Sequence, residues 1–226
     1  MLLSIHIPKT AGTSFGRLLQ GAYGERCFLD YGDWAAYNAP AAIEHRARRK
    51  AEMLLALPDM LCKYDCIHGH FIADKYRLEI AGARCVAFFR DPYQQAVSSY
   101  HFIGRMGHID NPIVRVFHER KMTLREYLEW EDMQNVQSRL IGSMAVEDLD
   151  VIGMTEEFAR SVALFNAVFG ARLSDDERLN ATPERPESGF EIAPDIKAII
   201  DRTRGADIET YRRAREAFAK RCARFL

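Results

Sequence analysis

An apolar run, Leu2-Leu3-Ser4-Ile5-His6-Ile7, gives way to Pro8-Lys9-Thr10-Ala11-Gly12-Thr13-Ser14, and an amphipathic segment follows without a gap. A run of six residues suits a strand buried on both faces. In the segment after it, Phe15, Leu18, Leu19 and Ala22 recur at helical spacing. Strand, short polar loop and helix in that order form half of a βαβ unit, and a chain that opens this way is committed to a parallel pairing. The pattern returns. Tyr64–His68 and Arg84–Phe89 read as short strands, and the second leads into a helix capped by Asp91 with Pro92 in its first turn. Tyr93, Ala96, Val97 and Tyr100 form that helix's apolar stripe. Val151–Met154 reads as a further strand, followed by a helix from Thr155-Glu156-Glu157 with Phe158, Val162, Phe165 and Phe169 turned inward. Alternation of this kind predicts one α/β domain over residues 1–226, with a mostly parallel central sheet flanked by helices.

Between these units, residues 42–57 predict a charged helix closed by Pro58, and Gly104–Lys121 reads as irregular and basic. Thr123-Leu124-Arg125-Glu126 has the form of a capping box. Asn180–Gly189 reads as a Pro-rich loop, and two helices close the chain, one stopping near Gly205 and one running from about 207 to 225. Lys and Arg together number 31 against 32 for Asp and Glu, so no global basic field points to nucleic acid. No stretch approaches the roughly 18 apolar residues of a membrane span, and the apolar start is too short for a signal peptide. The five cysteines lack the paired spacing of a zinc site and read as reduced thiols of a cytoplasmic protein, with a disulfide in the Cys62/Cys66 region as the other reading.

Ligands of such sheets sit at the carboxyl ends of the strands, where three polar clusters fall: Pro8–Ser14, His68–Phe71 and Arg90–Pro92. In the first, the backbone N–H groups of Thr10, Ala11, Gly12, Thr13 and Ser14 end at a helix N-terminus, an arrangement that favours an anion. Gly12 allows close approach, Thr13 and Ser14 add hydroxyls, and Lys9 adds a mobile charge. A nucleoside-triphosphate loop places its lysine directly before the helix, after a run opened by glycine. Here Lys9 precedes the only glycine, which disfavours ATP and GTP. The bland reading is a strand-to-helix turn with a surface lysine. In the third cluster, Arg90 at a strand end and Ser98 two helical turns later could hold a second phosphate, as a guanidinium fork and a hydroxyl. Its bland reading is a local Arg90-Asp91 ion pair.

Together PKTAGTS and RDPYQQAVS resemble the two nucleotide sites of the sulfotransferase family, and within it the branch containing heparan-sulfate 2-O-sulfotransferase and related carbohydrate sulfotransferases. The likeness continues in His68-Gly69-His70, in Asn135, Gln137 and Arg139, in the stretch from Val151, in Leu179–Pro183, and in the Asp207-to-Tyr211 spacing. It implies a P-loop-kinase-like fold and the donor 3′-phosphoadenosine 5′-phosphosulfate (PAPS), held at Lys9–Ser14, Arg90 and Ser98 without a metal. It also implies His70 as the base that deprotonates an acceptor hydroxyl and Lys9 as the group that stabilises the leaving phosphate. The acceptor implied is a glycan or glycolipid. Many members carry arginine where Gln95 stands, which thins the charge at the second site.

Other readings stand beside these. His68 and His70 share one strand face and could form part of a metal site, or could be structural. His101 is a second candidate base, while His6 reads as a core residue and Asp91 as a cap. The basic stretches Gly104–Lys121 and His45–Lys50 suit either an anionic acceptor or solvent. A small-molecule kinase and a nucleotide-binding protein without turnover are the rival functions.

Overall fold

The computed structural model describes residues 1–107, 111–174 and 189–226. In chain order the elements are β1 (Leu2–Ile5), α1 (Gly12–Tyr23), β2 (Cys27–Asp30), α2 (Pro40–Lys63), β3 (Cys66–Gly69), α3 (Asp74–Arg77), β4 (Arg84–Phe89) and α4 (Pro92–Arg105). They continue with α5 (Pro112–Glu119), α6 (Leu124–Glu129), α7 (Val136–Leu140), β5 (Val151–Met154), α8 (Phe158–Phe169), α9 (Pro194–Thr203) and α10 (Gly205–Phe225). The sheet order is β2-β3-β1-β4-β5, and each pairing among these five strands is parallel. Leu2 lies opposite Cys66 on one side and Arg84 on the other, and Val86 lies opposite Val151.

The four strands read from the sequence are buried, or nearly so, at each position, as continuous apolar runs require. Helices cover both faces, and Phe15 of α1 reaches through to Phe88 of β4 and Phe165 of α8, with ring centroids 4.6 and 5.2 Å apart. From β1 the chain passes to the edge strand β2, returns inward to β3 beside β1, and then crosses β1 to β4 on its other side. The crevice at the carboxyl ends of β1 and β4 is therefore the place where the strand order reverses.

Three sequence expectations change. Pro58 does not end α2 but stands inside it, in an exposed turn where water can serve the carbonyl that proline leaves unbonded. The 104–121 stretch is not irregular throughout: Asn111 caps α5 by accepting from the N–H groups of Ile113 and Val114. The edge strand β2 has no counterpart in the sequence reading. The expected helix cap at Asp91 and the capping box at Thr123 are both formed. All five cysteines carry free thiols, with Cys27 and Cys66 side by side on β2 and β3. No described helix is long and apolar enough to cross a membrane. Most of the 180–189 loop, and with it Leu179–Pro183, lies outside the described residues.

Candidate active site

The loop between β1 and α1 is held from behind. The Thr10 hydroxyl donates to the Ile7 carbonyl at 2.8 Å, the Gln95 amide to the Pro8 carbonyl at 3.0 Å, and the Arg90 guanidinium to the Lys9 carbonyl at 3.2 Å. Three successive carbonyls, of Ile7, Pro8 and Lys9, are thus held by side chains. Lys9 and Ala11 both take left-handed backbone conformations, at φ 68° and 65°. For residues with a Cβ that costs on the order of 1–2 kcal/mol each, strain of the kind that gathers at ligand sites. Ala11 brings no capping side chain to α1, so the helix opens on backbone N–H groups and the positive end of its dipole. Lys9 projects its ammonium over the Phe102 ring, 4.1 Å from the centroid.

These contacts redistribute the expected roles. Thr10 is fully buried with its hydroxyl engaged, so only its backbone is left for a ligand. Thr13 is exposed and Ser14 partly so, at the start of the helix. Gln95 supports the loop through its amide. Gly12 is required by a neighbour inside the protein: a Cβ there would fall 2.0 Å from Cδ2 of His6, and one at Gly16, a turn later, 2.4 Å from Nε2 of His68. The two glycines form a flat face on α1 against which two imidazoles pack.

Arg90, 3% exposed at the end of β4, has its own backbone clamped. The Gln137 side chain accepts from its N–H and donates to its carbonyl, at 3.0 and 2.9 Å. Thr155 donates to the Phe89 carbonyl and Glu156 accepts from the Asp91 N–H. Asp91 in turn caps α4 through Tyr93 and Gln94. Ser98 is nearly buried on α4 two turns further on. Asn135 and Asp207 serve the scaffold: Asp207 accepts from the Ser138 N–H and donates its own N–H to Asn135. The stretches around 135–139 and 151–157 thus brace the strand ends.

Three imidazoles stack behind the cradle. His6 lies 4.2 Å from His70 and 5.1 Å from His68, centroid to centroid. His70 bonds through Nδ1 to the His6 carbonyl at 2.5 Å. A carbonyl only accepts, so Nδ1 carries the proton and Nε2 presents its lone pair. Desolvation, only partly opposed by that hydrogen bond, pulls the His70 pKa down to about 4, and desolvation with the nearby His70 charge pulls His68 to about 3. Burial first, then the neighbouring His70 and His68, holds His6 well below the ordinary value. All three are neutral at pH 7. Among the described residues no group of three or more His, Cys, Asp or Glu side chains is placed to hold a metal ion. His101 is exposed and packs against Tyr100 and Phe190.

Tyr31, whose ring meets those of His6 and His70, and the segment around it had no counterpart among the sequence expectations. The tract His45–Lys50, read as acceptor-binding or solvated, turns most of its side chains to that segment and to α3. His45 bonds to the Gly32 carbonyl and stacks on Trp34, Arg46 donates to the carbonyls of Trp34 and Tyr37, and Lys50 pairs with Glu79.

No protein-family model matches the chain, and no curated protein matches it. Among solved structures it is similar to the mouse sulfotransferase SULT7A1 complexed with PAP, at 14% identity and a TM-score of 0.44, over 78% of this chain. The match spans 61% of the mouse protein's length. It is also similar to a sulfotransferase from Alicyclobacillus acidocaldarius, at 16% identity and a TM-score of 0.47, over 92% of each chain. Likenesses this distant leave the chemistry to the residues themselves.

Proposed function

We propose that this chain is a sulfotransferase that takes PAPS as donor and sulfates a hydroxyl of a carbohydrate or glycoconjugate acceptor. One observation carries the reading. Two cationic strand ends, Lys9 after β1 and Arg90 after β4, are joined by a hydrogen bond at the crevice where the sheet order reverses. A donor with a 5′-phosphosulfate and a 3′-phosphate needs two adjacent anion sites of this kind. The first would be the α1 N-terminus with Lys9, Gly12, Thr13 and Ser14. The second would be Arg90 with Ser98. Both suit phosphate oxygens, which accept from backbone N–H groups, hydroxyls and guanidinium alike.

His70 Nε2 takes the proton of the acceptor hydroxyl as that oxygen attacks sulfur. The S–O bond to the donor phosphate breaks in line, and Lys9 and the α1 N–H groups receive the charge left on the phosphate oxygen. A pKa near 4 describes His70 without an anion beside it. A bound polyanion favours the imidazolium, so the base strengthens when donor is in place. The free thiols are in keeping with a reducing compartment.

The test is transfer of labelled sulfuryl from PAPS to a panel of sugar hydroxyls by the wild type and Lys9→Ala. Transfer by the wild type that disappears in a folded Lys9→Ala variant supports the reading. Equal transfer by both sinks the role given to the cradle.

A further inference from the structure

We propose that Tyr31 is the specificity-determining residue of this site, holding an acceptor whose hydroxyl stands on a flat ring beside His70. The inference rests on the transfer reading above. Tyr31 is 43% exposed, although the residues on either side of the turn, Asp30 and Asp33, are each 1% exposed. Its ring meets His70 edge-on, with centroids 4.9 Å apart and planes at 88°. Its hydroxyl lies 2.9 Å from Nδ1 of His6. Desolvation raises the phenol to about 12, so it is neutral at pH 7, and it shares this hydrogen bond with the His6 ring nitrogen. The phenol is thereby anchored at its polar end, while its partly exposed ring stands edge-on to the imidazole proposed to accept the proton.

The effort spent on fixing this one ring is visible below it. Asp30 and Asp33 both turn inward to the Lys75 ammonium, at 2.6 and 2.7 Å, and Arg49 approaches the same carboxylates at 3.4 and 3.5 Å. Tyr76 donates to Asp30 at 2.9 Å. Two carboxylates against two cations leave the cluster neutral. Burial of charge on this scale is not a route to stability in itself. What it secures is geometry: with 30 and 33 fixed below, residue 31 projects on the opposite side, over His6 and His70. A rigid aromatic wall recognises the C–H face of a sugar or the face of an aromatic ring, and offers little to an open-chain alcohol.

Binding of 2-naphthol, methyl β-glucoside and 1-butanol is measured by saturation-transfer NMR, with and without adenosine 3′,5′-bisphosphate, for wild type, Tyr31→Phe and Tyr31→Ala. Ring alcohols are expected to bind the wild type and Tyr31→Phe alike, and Tyr31→Ala at least 10-fold more weakly. Butanol should bind none of them, and bisphosphate affinity should stay within 2-fold throughout. Which ring binds identifies the source of the face, aromatic or sugar. Equal ring-alcohol affinity in Tyr31→Ala, or no ring-alcohol binding to the wild type in either state, overturns the proposal. Absence of bisphosphate binding to the wild type is a separate result, and it refutes the donor reading instead. With a transferring acceptor in hand, Tyr31→Ala should raise its KM at least 10-fold and leave kcat within about 3-fold; a fall in kcat at constant KM would contradict the role.

Discussion

Acidification should unfold this protein through its histidine stack. A histidine with a depressed folded-state pKa takes up its proton mainly in the unfolded chain. The stability present above the unfolded value of 6.5 is lost as pH falls toward the folded value, about 3 for His68. At pH 5, 1.5 pH units below 6.5, the loss for that one residue is about 2 kcal/mol, from 1.36 kcal/mol per unit. His68 is 1% exposed, so solvent does little to screen the effect. His6, 7% exposed, is shifted in the same direction, chiefly by burial, and His70, pulled down to about 4, adds to the loss. Between pH 7 and 5 the stack therefore removes about 2 kcal/mol or more, a sizeable part of the roughly 5–15 kcal/mol of an ordinary domain. Urea unfolding at half-unit steps from pH 7.5 to 4.5 measures it. The comparison with His68→Asn isolates the cause, since carboxylates elsewhere act equally in both proteins. Below pH 6 the variant should show a slope shallower by about 1.4 kcal/mol per pH unit, whatever its stability at pH 7. Identical slopes would refute the assignment of buried, neutral histidines.

Other perturbations separate scaffold from chemistry. Lys75→Met leaves Asp30 and Asp33 buried with only the more distant Arg49, and should cost about 3–5 kcal/mol in urea unfolding at neutral pH; a cost below about 1 kcal/mol would mean the cluster is solvated. His70→Ala should slow transfer about 10²–10⁴-fold while calorimetry finds bisphosphate affinity nearly unchanged; collapse of that affinity would make His70 structural. Arg90→Ala should erase a preference of about 10–150-fold for adenosine 3′,5′-bisphosphate over AMP, the range of a hydrogen bond to a charged group; an unchanged preference would move the 3′-phosphate elsewhere.

How far the sequence carried depends on which force shaped each element. β1, β3, β4 and β5 were legible because burial on both faces leaves apolar runs with no other use. β2 was not: Cys27 and Phe28 are half-buried and Leu29 is exposed, so an edge strand of four residues shows neither a run nor an alternation. Pro58 misled because propensity rules describe a lone helix, whereas α2 is held on both sides of the proline by Met53 and Met60 in the core. The charged and glycine residues at strand ends, Lys9, Gly12, His70 and Arg90, were legible as a group. Their supports were not. Gln95 and Gln137 act on backbone carbonyls and N–H groups up to 87 residues away, and amide side chains carry no mark of such partners in one dimension. Tyr31 was hidden for the same reason, since its meaning lies in contacts with His6 and His70.

The central claim is a site with two phosphate pockets, and thermal unfolding in the presence of adenosine 3′,5′-bisphosphate, AMP, ADP and Mg-ATP tests it most directly. At about a hundred times its dissociation constant a ligand adds roughly 2.7 kcal/mol, a readily measured rise in Tm. Selective stabilisation by the 3′,5′-bisphosphate is the predicted result. Equal or greater stabilisation by Mg-ATP, or none by any of the four, would contradict it.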